Sequence, residues 1–297
     1  MYDFETISSM LMIICSIFGI LFAFIFILIV LIHRQCQTLT IFLVLNSTLA
    51  GLLANVACIS QAIYQLLGVG NDRLCAVRGL LLQAGTGVLY HTLCVQAFYR
   101  LFVTVYSTRR YLQTKQFIGL IVLIQWIFSA TFGLPILFTG RITYQAGSRI
   151  CQVSLEDVSF VYFSLVIFFL PLIIIIIIYF QIVQYMKRTP FSTGNRLNTS
   201  VNDIRRQSEL RLIRRILTLV IILFLLGFPY SLFYLLIHLH IISPWAYMAR
   251  VSYLFITFGQ SASMLINLIT TDDVRNCLID VIRKCSTREN RVQRVNT

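Results

Sequence analysis

Charge is scarce in this chain. Of its 297 residues 12% are charged, 58% are hydrophobic, and only 11 are acidic. An ordinary soluble domain carries about a quarter charged residues, so the shortage excludes a typical globular enzyme. Proline and tryptophan are also rare, at 5 and 2, which leaves long stretches where nothing interrupts a helix. The 8 cysteines lie singly, with no CxxC pair and no metal-ligand spacing, which excludes zinc and dithiol redox motifs. No glycine-rich phosphate cradle, buried carboxylate pair or cluster of metal ligands occurs. Catalysis has no residues to work with, and neither cofactor nor metal is expected.

What is present is apolar length. Seven stretches run approximately over 8–32, 39–67, 75–106, 116–138, 158–186, 209–238 and 244–269. At about 1.5 Å per residue each crosses a hydrocarbon core about 30 Å thick, and a helix satisfies its own backbone hydrogen bonds where there is no water. The expected fold class is therefore all-α, a seven-transmembrane helix bundle. Residues 1–7 hold Asp3 and Glu5 instead of a basic leader, so the first helix is expected to act as its own insertion signal.

Seven spans place the termini on opposite sides. Pooling alternate loops puts 19 of the 24 Lys and Arg on one side and only Arg73, Arg78, Arg141, Arg149 and Arg250 on the other. The positive-inside rule then makes the N-terminus extracellular and the tail cytoplasmic. Five acidic residues balance the outer five, so the whole +13 faces the cytoplasm. Such charge suits membrane lipid headgroups and an acidic cytosolic partner; nucleic acid is not expected. Cys75, at the outer start of the third stretch, and Cys151, in the loop 139–157, lie on the oxidising side and are placed for a bridge. Two unpaired thiols are the alternative. Cys277 and Cys285 follow the last stretch among basic residues, where lipidation and ordinary cytosolic thiols read equally well.

Further landmarks stand at fixed places along the helices. Arg100 follows Cys75 by 25 residues, roughly 37 Å of helix, so the two mark opposite ends of the third span. Trp126 lies within the fourth span. Pro171 interrupts the fifth, with Tyr179 eight residues on, and Pro229 breaks the sixth, with Glu209 at its inner end. Together these resemble a class A (rhodopsin-like) G-protein-coupled receptor over nearly the whole chain, 1–297 as one receptor domain. The resemblance implies a resting lock between Arg100 and Glu209. It also implies outward movement of helix 6, release of Arg100 toward a heterotrimeric G protein and Tyr179, and an eighth helix at about 272–284 whose start is marked by the stretch Val274 to Leu278.

The departures matter as much. Tyr99 stands where the family has an acid before the arginine, and Gly227 stands in place of the tryptophan two residues before Pro229. The helix 7 motif reads from Ser263 to Asn267 without its asparagine, proline and tyrosine, and Leu53 falls where a buried aspartate is expected. A resting sodium ion is therefore not expected, and Leu53 should pack in a dry apolar layer.

The outer half of the bundle offers Gln61, Gln83, Thr86, Tyr230, Tyr234 and Tyr253 as neutral polar groups for a ligand pocket, although each could equally bond a neighbouring helix. Leu82 occupies the position of the aspartate of amine receptors, which argues against a monoamine. The function expected is a receptor passing an extracellular ligand signal to G protein at the plasma membrane. A receptor-like protein that binds without activating G proteins is the alternative. A transporter or channel ranks third, because ionisable residues at mid-membrane and an internal repeat are both missing.

Overall fold

The computed structural model describes residues 2–33, 38–68, 74–145, 149–153, 157–188, 214, 217–222, 224–225, 227–233, 235–237, 239–241, 247–280 and 283. The long helices are α1 (Tyr2–Ile32), α2 (Leu39–Leu67), α3 (Cys75–Thr104), α4 (Lys115–Thr131) and, after a short α5 (Leu134–Phe138), α6 (Val158–Ser164), which runs on through a π-turn into α7 (Leu170–Arg188). Then come α8 (Leu217–Ile237), α9 (Met248–Thr270) and a short α10 at 272–280. Side-chain oxygens start several of them. Thr38 accepts from the Ile41 amide and Thr114 from the Phe117 amide, and Gly68 ends α2 at φ 63°. Asp157 caps α6. The Ser159 backbone N–H holds its carboxyl below the ordinary aspartate range, and the Ser159 hydroxyl and Arg141 add to the effect.

Among the described residues six helices are both long and apolar enough to cross a membrane, by length and composition; α3 is as long but carries more polar residues. The reason is position. Helix α3 packs against α2, α4, α7 and both strands, so little of it meets lipid, and it carries Gln83, His91, Thr92, Gln96 and Arg100 buried among its neighbours. On α1, by contrast, Ile14, Ile17, Leu21 and Phe24 point outward. Lipid can solvate such a face, and water could not.

Prolines mark the breaks. Pro135 opens α5 after Gly133, and Pro171 follows the π-turn Leu165–Phe169, which takes up the irregularity that a ring without an N–H imposes. One buried imidazole bridges the disturbed stretch. His91 Nε2 lies 3.0 Å from the Val166 carbonyl oxygen and its Nδ1 lies 2.7 Å from Ser129 Oγ.

Strands β1 (Ile142–Gln145) and β2 (Ile150–Val153) form an antiparallel hairpin at one end of the bundle. A disulfide joins Cys151 of β2 to Cys75, the first residue of α3, with Cα atoms 5.3 Å apart. Every residue of β2 is buried, and Ile142, Ile150 and Val153 enter the core cluster with Phe160, Tyr230 and Tyr253. The hairpin is thus a plug. Gly79 permits its approach, because a Cβ there would lie 2.5 Å from the Cys151 carbonyl oxygen.

Candidate ligand cavity and switch region

Beneath the plug, α3, the α6–α7 junction, α8 and α9 enclose a cavity of about 30 Å³, room for about two water molecules. Gln83, Thr86, Tyr230 and Tyr253 line it, with Tyr90 and Gly227 at its floor. Its polar groups are largely engaged with each other. Gln83 Nε2 donates to the Tyr230 hydroxyl at 3.1 Å, and Tyr253 donates to Gln152 Oε1 of β2 at 3.3 Å. Gln61 does not line this cavity; its amide donates to the Arg149 carbonyl at 3.4 Å, under the hairpin. Tyr234 lies outside the described residues.

The floor of the cavity explains how the chain does without a large side chain at position 227. A Cβ on Gly227 would lie 2.4 Å from the Tyr90 hydroxyl and 3.2 Å from the Phe168 ring. Tyr90 of α3 therefore fills, from the opposite helix, the space that a bulky α8 residue would take. It meets Phe168 edge to face at 5.6 Å, Phe168 stacks on Phe224 at 5.7 Å, and Phe224 on Phe228 at 5.1 Å. An aromatic ladder thus links α3, the π-turn and α8 beside Pro229.

At the other end of α3, Arg100 is only 5% exposed. Its guanidinium lies 5.5 Å from the Tyr99 ring centroid and acts electrostatically on the Tyr179 hydroxyl of α7. That hydroxyl is buried and has no hydrogen-bond partner among the described residues. Glu209 lies outside them, as does Cys285. Cys277 is half-buried on α10 and packs against the cluster of Phe26, Val30 and Val274.

The position of Leu53 needs correction. It is 39% exposed on the lipid side, whereas Gly51, Ala54 and Asn55 face inward. Met264 lies against Gly51, and Asn55 Oδ1 accepts from Ser261 at 3.0 Å. Nearby, Gln260 accepts from Cys58 and donates to Thr86 at 3.1 Å, and Asn267 donates to Ser47. The layer between α2, α3 and α9 is polar, neutral and mutually bonded, where a dry one was expected.

A family model described as 7 transmembrane receptor (rhodopsin family) matches residues 23–269. The chain belongs to this family. Its fold is similar to the crystal structure of squid rhodopsin, with a TM-score of 0.83 and 16% identity over 95% of this chain and 86% of that one. It is also 33% identical over 98 residues to the 5-hydroxytryptamine receptor 5A of Rattus norvegicus, a match covering 33% of this chain and 27% of the rat receptor. The chain thus matches about a quarter of that relative's length.

Within this rhodopsin-family bundle, sequence spacing missed Tyr90, Gln152 and Gln260, because their partners come from distant segments. It also missed Asn46, whose Oδ1 accepts from Trp126 Nε1 at 2.7 Å and whose amide donates to Gln125 at 3.4 Å. Buried amides inside an apolar helix are the signal that could have found Asn46 and Gln260, since each needs a partner.

Proposed function

We propose that this protein is a G-protein-coupled receptor of the plasma membrane, with its N-terminus outside and its tail in the cytoplasm. An extracellular ligand enters the cavity under the hairpin and changes how Tyr90, Phe168 and Tyr230 hold α8. Helix α8 swings outward about Pro229, and Arg100 becomes available to a heterotrimeric G protein. The observation that carries this reading is continuity. Tyr90 touches both the cavity and the bare backbone of Gly227, so a change in the cavity is felt by α8 without an intermediary.

Arg100, Tyr179 and Glu209 form the cytoplasmic part of the proposed switch, with Pro171 and Pro229 as its pivots. A partly screened Arg100–Glu209 pair would favour the resting state by about 1 to 3 kcal/mol. The ligand is not a monoamine. Leu82, at the position of the amine-binding aspartate, is packed in the core at 2% exposure, so the serotonin in the rat receptor's name does not carry over.

Guanine-nucleotide exchange on purified G protein tests the reading. Glu209→Gln is expected to raise basal exchange and Arg100→Ala to abolish it. Exchange that ignores both substitutions would favour a receptor-like protein that binds but does not signal.

A further inference from the structure

The least accommodated charge in the described structure is Arg250, at the disulfide end of α9. Its side chain is 1% exposed. Nη1 donates to the Glu5 carbonyl oxygen at 3.2 Å, but Nε and Nη2 have no hydrogen-bond partner among the described residues. A second guanidinium stands beside it. Glu5 Oε2 lies 3.5 Å from Arg149 Nη2 and 3.8 Å from Arg250 Nη2, so one carboxylate serves two cations and pairs closely with neither. A buried cation is costly unless its donors are satisfied. The fork left open on Arg250 is the edge that takes a planar carboxylate in two parallel hydrogen bonds.

We infer that Arg250 and Arg149 form a receiving site for the carboxylate of an acidic ligand, and that Glu5 of the N-terminal turn is its internal stand-in. The placement suits a ligand with an apolar body. Tyr253, which lines the cavity, is three residues along α9 and on the same face as Arg250. A carboxylate on the arginine pair would therefore direct the rest of the molecule toward Tyr253 and Tyr230. Glu5 would have to yield its place, so the N-terminal turn acts as a competitor for the site. The inference rests on the reading of the cavity as a ligand site and adds the ligand's chemical class.

The test uses the full chain in lipid nanodiscs, titrated with phenylacetate against neutral phenylacetamide while the thermal unfolding midpoint is followed. Phenylacetate is expected to give a saturable rise and phenylacetamide none. Glu5→Gln should lower the half-saturating concentration by about tenfold, since the site is no longer occupied from within. Arg250→Gln should abolish the response; if that variant fails to fold, Arg250→Lys, which keeps the charge but lacks the fork, should lose it instead. Equal responses to acid and amide would overturn the inference, as would no response in both wild type and Glu5→Gln. Because binding is read without G protein, a carboxylate response in a chain that drives no nucleotide exchange would count against signalling alone. Exchange driven by a neutral ligand, with no carboxylate response, would count against this site alone.

Discussion

The part of the bundle made of α1, α2, α3, α4 and α9 is held together differently from the part made of α7 and α8. In the first, amides and hydroxyls are matched across helices: Asn46 with Trp126, Gln125 with the Val88 carbonyl, Gln96 with the Leu43 carbonyl, Asn55 with Ser261. Each of these bonds has one geometry. Among the described residues, α8 meets α3, the π-turn and α7 largely through apolar contacts, with Phe224 stacked on Phe168 and Leu219 in the cluster of Ile175, Ile178 and Ile182, and Gln83 donates to Tyr230 at the cavity. Ring contacts keep much of their energy through small slides and rotations. Where the hydrophobic effect does not drive helices together, directional bonds decide which pairs are fixed. On the proposed reading the first group is a frame and α8 is the element that changes its seat.

The plug offers the largest test, because it is tied covalently to the frame. Cys75→Ser is expected to cost about 2 to 4 kcal/mol and to remove most folded receptor from the cell surface. Non-reduced peptide mass spectrometry should find Cys75 and Cys151 linked in the parent chain; recovering both as free thiols would sever plug from frame. A smaller effect is expected inside the frame. Asn46→Ala strands the Trp126 N–H and the Gln125 amide and should destabilise by about 1 to 3 kcal/mol, with nucleotide exchange per folded molecule unchanged. If exchange changed as much as stability, the frame would be part of the switch and the contrast would fail.

The smallest effect is expected at the ring contacts. In Gly227→Ala the new methyl meets the Tyr90 hydroxyl. The overpacking cost of about 1 to 3 kcal/mol is offset by the better helix propensity of alanine, about 0.5 to 1 kcal/mol, so a net loss of about 1 kcal/mol should appear in the thermal midpoint. Adding Tyr90→Phe removes the hydroxyl and should restore it. A Gly227→Ala chain as stable as its parent, with unaltered basal exchange, would show that Tyr90 does not report the cavity to α8.

Much of the bundle is legible in the sequence because lipid demands length. The apolar stretch at 39–67 and the helix Leu39–Leu67 have the same ends, since Thr38 can cap and Gly68 can terminate. The face each helix presents is harder to read. Core and lipid are both apolar, so the usual contrast between two sides of a helix is flattened, and Leu53 reads as an inward residue although the inward positions are Gly51, Ala54 and Asn55. Long-range pairings were invisible for a different reason. Glu5 and Arg250 are 245 residues apart, and nothing local in either segment marks the other. Arg250 could be counted as an outer charge, but its burial follows only from how α1 and α9 pack.

The π-turn Leu165–Phe169 has a consequence for the whole length of the fifth span. A turn that closes at i+5 takes in one residue more than an α-turn, and one residue is about 100° of rotation. The two halves of this span are therefore out of phase by about that angle, like shafts joined through an offset coupling. The half near the hairpin sets Phe160 and Phe163 toward the core, and the half beyond Pro171 sets Tyr179 toward Arg100. Because the offset lies between them, substitutions in the first half that reshape the cavity leave Tyr179 turned toward Arg100.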